Sequence, residues 1–312
     1  MAVPSSAQIG EAQRLLAPHL PVTRLAPVAD HPGLHLKLEL ELPTRSFKVR
    51  GALYALTRRL QRGPVAEVIA SSTGNHGAAV AWAAQRLGVP ATIFLPAHPN
   101  PVKRKNITDL GARVVEVTAD DISGAAVEAD AYAFRRPGVY YLNDATDTDV
   151  PAATGVIGLE ITDQLPGVAC IYVPMGDTAL IRGVAAAVKA AHPNVRIIGV
   201  QAERSPCYYL SWKAGRPIAT DTCDTCADGL ATRTPQEENV AAIRTLVDDV
   251  LLVSEDQMLA AVRLLYERAG VLAEPSGAAA TAAWLQHPPS GPAVALVTGA
   301  NIAPAIRLRA GL

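Results

Sequence analysis

Residues 34–60 read LHLKLELELPTRSFKVRGALYALTRRL, and the reading of the whole chain turns on this stretch. A strand-like run over 34–40 leads in and a helix-like run over 49–60 leads away. Between them stands Lys48, preceded by Pro43-Thr44-Arg45-Ser46-Phe47 and followed by Val49-Arg50-Gly51-Ala52. A lysine at such a junction reaches a pocket at the end of a sheet. It can form a Schiff base there if its surroundings keep the amine partly deprotonated. Lys37, Lys103, Lys105, Lys189 and Lys213 sit among charges or on polar helix faces, and are expected to be solvated.

The chain of 312 residues has room for two domains sharing one cleft, or for one large α/β domain. Hydrophobic residues make up 49% and aromatics only 4%, so alanine, valine and leucine do the packing, as suits helices on parallel strands. The net charge of -1, spread over interspersed charges, points away from nucleic acid and from a polybasic membrane patch. No apolar run approaches the roughly 20 residues that span a bilayer. The opening MAVPSS is no signal peptide, and a cytoplasmic location is expected. Cys170, in a strand-like run, reads as a small buried hydrophobe. Cys223-Asp224-Thr225-Cys226 lacks a second pair or a histidine partner. It reads as a structural or redox-sensitive thiol pair, and no metal is predicted.

Strands and helices alternate along most of the chain. Strands are predicted over 67–70, 91–95, 113–117, 170–173, 196–200, 250–253 and 293–297. Helices are predicted over 75–87, 101–110, 122–134, 153–165, 179–191, 254–268, 275–286 and 302–309. This order argues for parallel sheets covered on both faces. The polar stretch 138–151 (GVYYLNDATDTDVP) is expected to carry a crossing between domains, with another near Pro43.

Ligands of open α/β sheets bind at the carboxyl ends of strands, and four ends here are unusual. The first is the Lys48 segment. The second is Ser71-Ser72-Thr73-Gly74-Asn75-His76-Gly77, whose backbone N–H groups at a helix start favour an anion such as a carboxylate. The third is Met175-Gly176-Asp177-Thr178-Ala179-Leu180, a turn opening a helix that could bind phosphate by the same physics. It is neither a Walker loop nor GxGxxG, so nucleotide readings lose support. The fourth is Thr298-Gly299-Ala300-Asn301, where a hydroxyl could meet a ring nitrogen.

Together these pieces resemble the fold-type II pyridoxal-phosphate enzymes, in the branch of serine/threonine dehydratases and serine racemases. The resemblance is carried by KLELELPTRSFKVRGA (37–52), SSTGNHG (71–77), ADGLA (227–231), EPSGAA (274–279) and TGANI (298–302), in the family's order. It implies two open, mostly parallel three-layer α/β domains, tryptophan synthase β-like, with pyridoxal 5'-phosphate in the cleft between them. Residues 1–43 plus 148–312 would form the large cofactor domain and 44–147 a small mobile one. Lys48 would hold the cofactor and act as the base at the substrate's Cα. Phe47 would pack near the ring, Asn75 would bond its 3-hydroxyl, and Thr298 would face its nitrogen. Gly176, Asp177, Thr178, Ala179 and Leu180 would cradle the phosphate. Ser72, Thr73, Gly74 and His76 would line the substrate carboxylate site. A homodimer is the common assembly of the family.

The implied activity is deamination of a β-hydroxy amino acid, such as threonine or serine, to a 2-oxo acid and ammonia. A neutral Thr298 does not force the ring nitrogen to be protonated, which favours prompt loss of the β-substituent. The chain departs from the pattern in three places. Gly176-Asp177-Thr178-Ala179 stands where four glycines are usual. Thr73 keeps a hydroxyl where a second acid/base acts in racemases, so racemase or β-replacement (threonine-synthase-like) chemistry stays open. Gln201 stands where a glutamate binds a divalent cation, so that site is not predicted. Arg45 replaces a common glycine and is expected to be solvated.

Overall fold

The computed structural model describes residues 3–72, 74–98, 101–119 and 122–312; Thr73 and the Lys103 side chain lie outside the described set. In chain order the first elements are α1 (Ser6–Leu16), β1 (Leu25–Pro27), β2 (Leu34–Leu38), α2 (Lys48–Gln61), β3 (Glu67–Ser71), α3 (Asn75–Leu87), β4 (Ala91–Leu95) and α4 (Pro101–Asp109). Then come β5 (Arg113–Glu116), α5 (Ile122–Phe134), β6 (Val139–Tyr141), α6 (Val150–Gln164), β7 (Cys170–Pro174), α7 (Ala179–Ala191) and β8 (Arg196–Ala202). The last are α8 (Cys207–Ala214), α9 (Glu237–Leu246), β9 (Asp249–Val253), α10 (Glu255–Ala269), α11 (Pro275–Gln286), β10 (Ala293–Val297) and α12 (Pro304–Arg309). The chain forms two compact units, Met1–Phe47 with Pro151–Leu312, and Lys48–Val150.

The larger unit is built on a six-stranded sheet of order β1-β2-β10-β7-β8-β9. Only the β1–β2 pair is antiparallel. Period-two alternation sends side chains into two separate cores. Cys170, Tyr172, Ala293, Ala295 and Val297 join α10 and α11 on one face. Ile171, Val173, Val294 and Leu296 join α6, α7 and α9 on the other. Both faces are therefore covered, which makes a three-layer unit. Buried alanines along α11 let that helix lie close to the sheet.

The smaller unit carries an all-parallel sheet of order β5-β4-β3-β6. On one face Ala125 and Ala129 of α5 pack on Ile69, Phe94 and Val117. At the start of α3, a Cβ on Gly77 would lie 2.9 Å from Ile93 Cγ2, so the helix sits close on β4 because that residue is glycine. The predicted helix punctuation is present. Ser254 and Gln257 form a capping box for α10, and Gly88 and Gly270 end α3 and α10 in the left-handed conformation.

Two expectations need correction. Lys37 is not solvated: it is fully buried, pairs with Glu160 at 2.6 Å, and donates to Thr23 O at 2.8 Å and Gln164 Oε1 at 2.9 Å. The reason is that β2 lies inside a sheet covered on both faces, so its alternate residues meet protein and not water. Lys189 is half-buried against Asp248, whereas Lys105 and Lys213 are exposed. The stretch 138–151 holds β6 and the first residues of α6. Helices α1, α8 and α9 lie in stretches for which no element is predicted.

Cys170 is buried as expected, and Cys223 and Cys226 are free thiols. Burial, helped by the neighbouring Glu255, pushes the Cys226 thiol up to about 12. No helix among the described residues is long and apolar enough to cross a membrane.

Candidate active site

In the smaller unit, Lys48 is the first residue of α2 and its side chain is 23% exposed. Its amine forms an ion pair with Asp144, in the loop after β6. His76, at the start of α3, donates from Nε2 to Leu142 O at 2.9 Å, because a carbonyl can only accept. Its Nδ1 lies 3.8 Å from the same Asp144 oxygen that meets Lys48. Burial alone would push the Asp144 carboxyl up. The charges of His76 and Lys48 outweigh it and hold the group well below the usual carboxylate range. Ser72 is buried and its Oγ accepts from Gly74 N at 3.1 Å. Asn75 opens α3 and is half-buried. The loop thus leads directly into a helix N-terminus, where orphan N–H groups gather.

In the larger unit, residues 44–47 are stitched to residues 298–301. Phe47 N donates to Thr298 O at 3.1 Å, Ala300 N to Arg45 O at 3.0 Å, and Asn301 Nδ2 to Thr44 O at 3.0 Å, while Ser46 and Gly299 form an antiparallel bridge. Phe47 packs on the core shared by α7 and β7. Thr298, at the end of β10, is 5% exposed. Arg45 is exposed and left-handed, with φ +55°, at a position where glycine would be unstrained.

Three further motifs meet without room for side chains. A Cβ on Gly176 would lie 2.4 Å from Gly229 O, one on Gly229 would lie 2.9 Å from Ser276 Oγ, and one on Gly277 would lie 2.5 Å from Gly299 O. The turn opening α7 is bounded by these contacts. Thr178 caps it at φ +67°, a strained state for a β-branched residue. Thr178 Oγ1 accepts from Arg182 Nε at 3.2 Å. Asp177 accepts from Thr232 Oγ1 at 3.4 Å. Ala179 and Leu180 form the first turn of α7, whose N–H groups suit an anion.

The profile of the family described as pyridoxal-phosphate dependent enzyme matches residues 15–299. The chain belongs to that family. It is 38% identical over 274 residues to a protein of Geobacter sulfurreducens named L-threonine ammonia-lyase, a match covering 86% of this chain and 67% of that protein. Among solved structures, a T.th. threonine deaminase superposes with a TM-score of 0.89 at 32% identity, covering 96% of this chain and 99% of that one. Maize serine racemase superposes with a TM-score of 0.90 at 27% identity, covering 99% and 97%.

The residues present fit the cofactor of a pyridoxal-phosphate enzyme. They include a partly exposed lysine amine, a glycine turn with no space for a Cβ at the start of a 13-residue helix, and a nearly buried neutral hydroxyl at a strand end. Of the predicted site residues, Lys48, Ser72, Gly74, Asn75 and His76 fall in the smaller unit. Phe47, Gly176, Asp177, Thr178, Ala179, Leu180 and Thr298 fall in the larger. Sequence reasoning missed Asp144. It follows β6 by three residues, in a run of Asn, Asp and Thr, and β6 is not among the predicted strands, so the rule that strand carboxyl ends hold sites had no strand to act on.

Proposed function

We propose that this chain deaminates a β-hydroxy amino acid, L-threonine foremost, to a 2-oxo acid and ammonia, as the names of its relatives support. The observation that carries the reading is Lys48, held at the start of α2 by a segment whose preceding residue is bonded to Thr298. Bound pyridoxal phosphate supplies the electron withdrawal that makes the substrate's α-proton removable. Lys48 Nζ would hold the cofactor, and the Lys48 amine would take that proton. Phe47 would lie beside the ring, Asn75 would bond its 3-hydroxyl, and Thr298 would meet its nitrogen without imposing a charge. The N–H groups of residues 176–180, with the Thr178 hydroxyl beside them, would hold the phosphate. Ser72, Thr73, Gly74 and His76 hold the substrate carboxylate at the N-terminus of α3. We place the enzyme in the cytoplasm as a homodimer, which sizing of the purified protein would test.

Purified protein incubated with L-threonine and L-serine should release 2-oxo acid and ammonia. Absence of both products from cofactor-loaded protein would sink the reading. Racemisation is the second reading, supported by the likeness to maize serine racemase. Chiral analysis of recovered serine separates the two, and an added thiol nucleophile reveals β-replacement.

A further inference from the structure

None of the roles above uses Asp144. Its loop is fixed by local bonds: Asn143 Oδ1 accepts from Ala145 N at 3.0 Å, and Asn143 O accepts from Asp147 N at 2.8 Å. The neighbouring carboxylates face elsewhere, Asp147 to the Tyr140 hydroxyl and Asp149 to Arg62 at 2.8 Å. Asp144 instead meets groups from two helices, Lys48 of α2 and His76 of α3, and its side chain is 15% exposed. Tyr141 of β6 also feels its charge. Burial chiefly, together with Asp144 and Asp130 of α5, raises that phenol, so it stays neutral. Asp144 is therefore a standing negative charge directed at the cofactor lysine.

We propose that Asp144 is a positioning residue whose carboxylate holds the Lys48 amine, whenever that amine is free of the cofactor, as an ammonium on the carboxylate oxygen that His76 also approaches. The inference rests on the reading of Lys48 as the cofactor lysine. It has two opposed consequences. A carboxylate in contact with an amine favours its charged form, so Lys48 becomes a stronger base. The same contact lowers the fraction of neutral amine at a given pH, and only neutral amine can capture the cofactor aldehyde or remove a proton. The proton that Lys48 takes from Cα stays on Nζ, where Asp144 compensates its charge. No bond to Asp144 forms or breaks.

The test follows capture of added pyridoxal phosphate by cofactor-free protein, read from the visible absorbance of the bound cofactor over a range of pH. In Asp144→Asn the acid limb of the capture rate should move to lower pH by about 1–3 units, the shift expected on removing an opposite charge at contact. Asp144→Ser should shift the limb in the same direction, and Asp144→Glu should restore it. The acid limb of kcat/KM for L-threonine should move with it. Unchanged limbs in the neutral variants that fold would overturn the proposal. If Lys48→Ala gives the wild-type absorbance, the reading of Lys48 fails instead, a result distinct from any outcome of the Asp144 series.

Discussion

Gly176 and Gly229 approach so closely that a Cβ on the first would lie 2.4 Å from the carbonyl oxygen of the second. Two segments far apart in sequence, the turn before α7 and the ADG motif, are thereby locked at backbone level. Gly176→Ala must push one of them aside. Overpacking of this kind costs about 1–3 kcal/mol. Urea unfolding should show that loss, and titration with pyridoxal phosphate should show weakened binding. A variant with wild-type stability and affinity would mean the turn has slack that the structure lacks.

Thr178 sets two effects against each other. Its left-handed backbone costs about 1–2 kcal/mol, and its hydroxyl bond to the Arg182 guanidinium returns a comparable amount. Thr178→Gly removes both, so its stability should stay within about 1 kcal/mol of wild type. Thr178→Ala keeps the strain and loses the bond. It should be the less stable of the two by about 1 kcal/mol, and thermal unfolding of the pair decides the matter.

Lys37 and Glu160 form a buried pair with side-chain exposures of 0% and 6%. Lys37→Met strands the Glu160 charge and should cost about 3–5 kcal/mol. Glu160→Leu added to it removes the stranded charge and should restore much of the loss. Denaturant midpoints of the single and double variants provide the check. A double variant weaker than the single would contradict the pairing.

Asp144 should leave a signature in acid stability. Its folded carboxyl lies below the unfolded value of about 3.9. Its contribution is thus fully present above that value and is lost as pH falls towards the folded one. Asp144→Asn should be less stable than wild type at neutral pH, with the gap closing below about pH 4. A gap that keeps its size on acidification would show that Asp144 acts by shape and not by charge.

Much of this was readable in advance because it is local. Gly88 and Gly270 end their helices where glycine permits a left-handed residue, and the segments around Lys48, Gly176 and Thr298 stand at strand ends as predicted. Lys37 sits among the charges Glu39 and Glu41 in sequence, which suggests solvent, yet helices cover both faces of its sheet and Glu160, 123 residues away, supplies its counter-charge. The Lys48–Asp144 pair was invisible because its partners lie 96 residues apart and meet only when β6 joins β3. β6 itself is three residues long, too short for any periodicity to register.

The strand order of the larger sheet carries a consequence for how the chain is made. β2 pairs with β10, a strand some 250 residues later in the chain, so the larger sheet stays open until β10 has been made. The smaller unit is one continuous stretch, Lys48–Val150, and its four strands all come from within it. It can close its sheet while the larger unit still waits for its central strand. During that interval β2 is an unpaired apolar strand edge, and protecting it from other nascent chains falls to β1, its antiparallel neighbour.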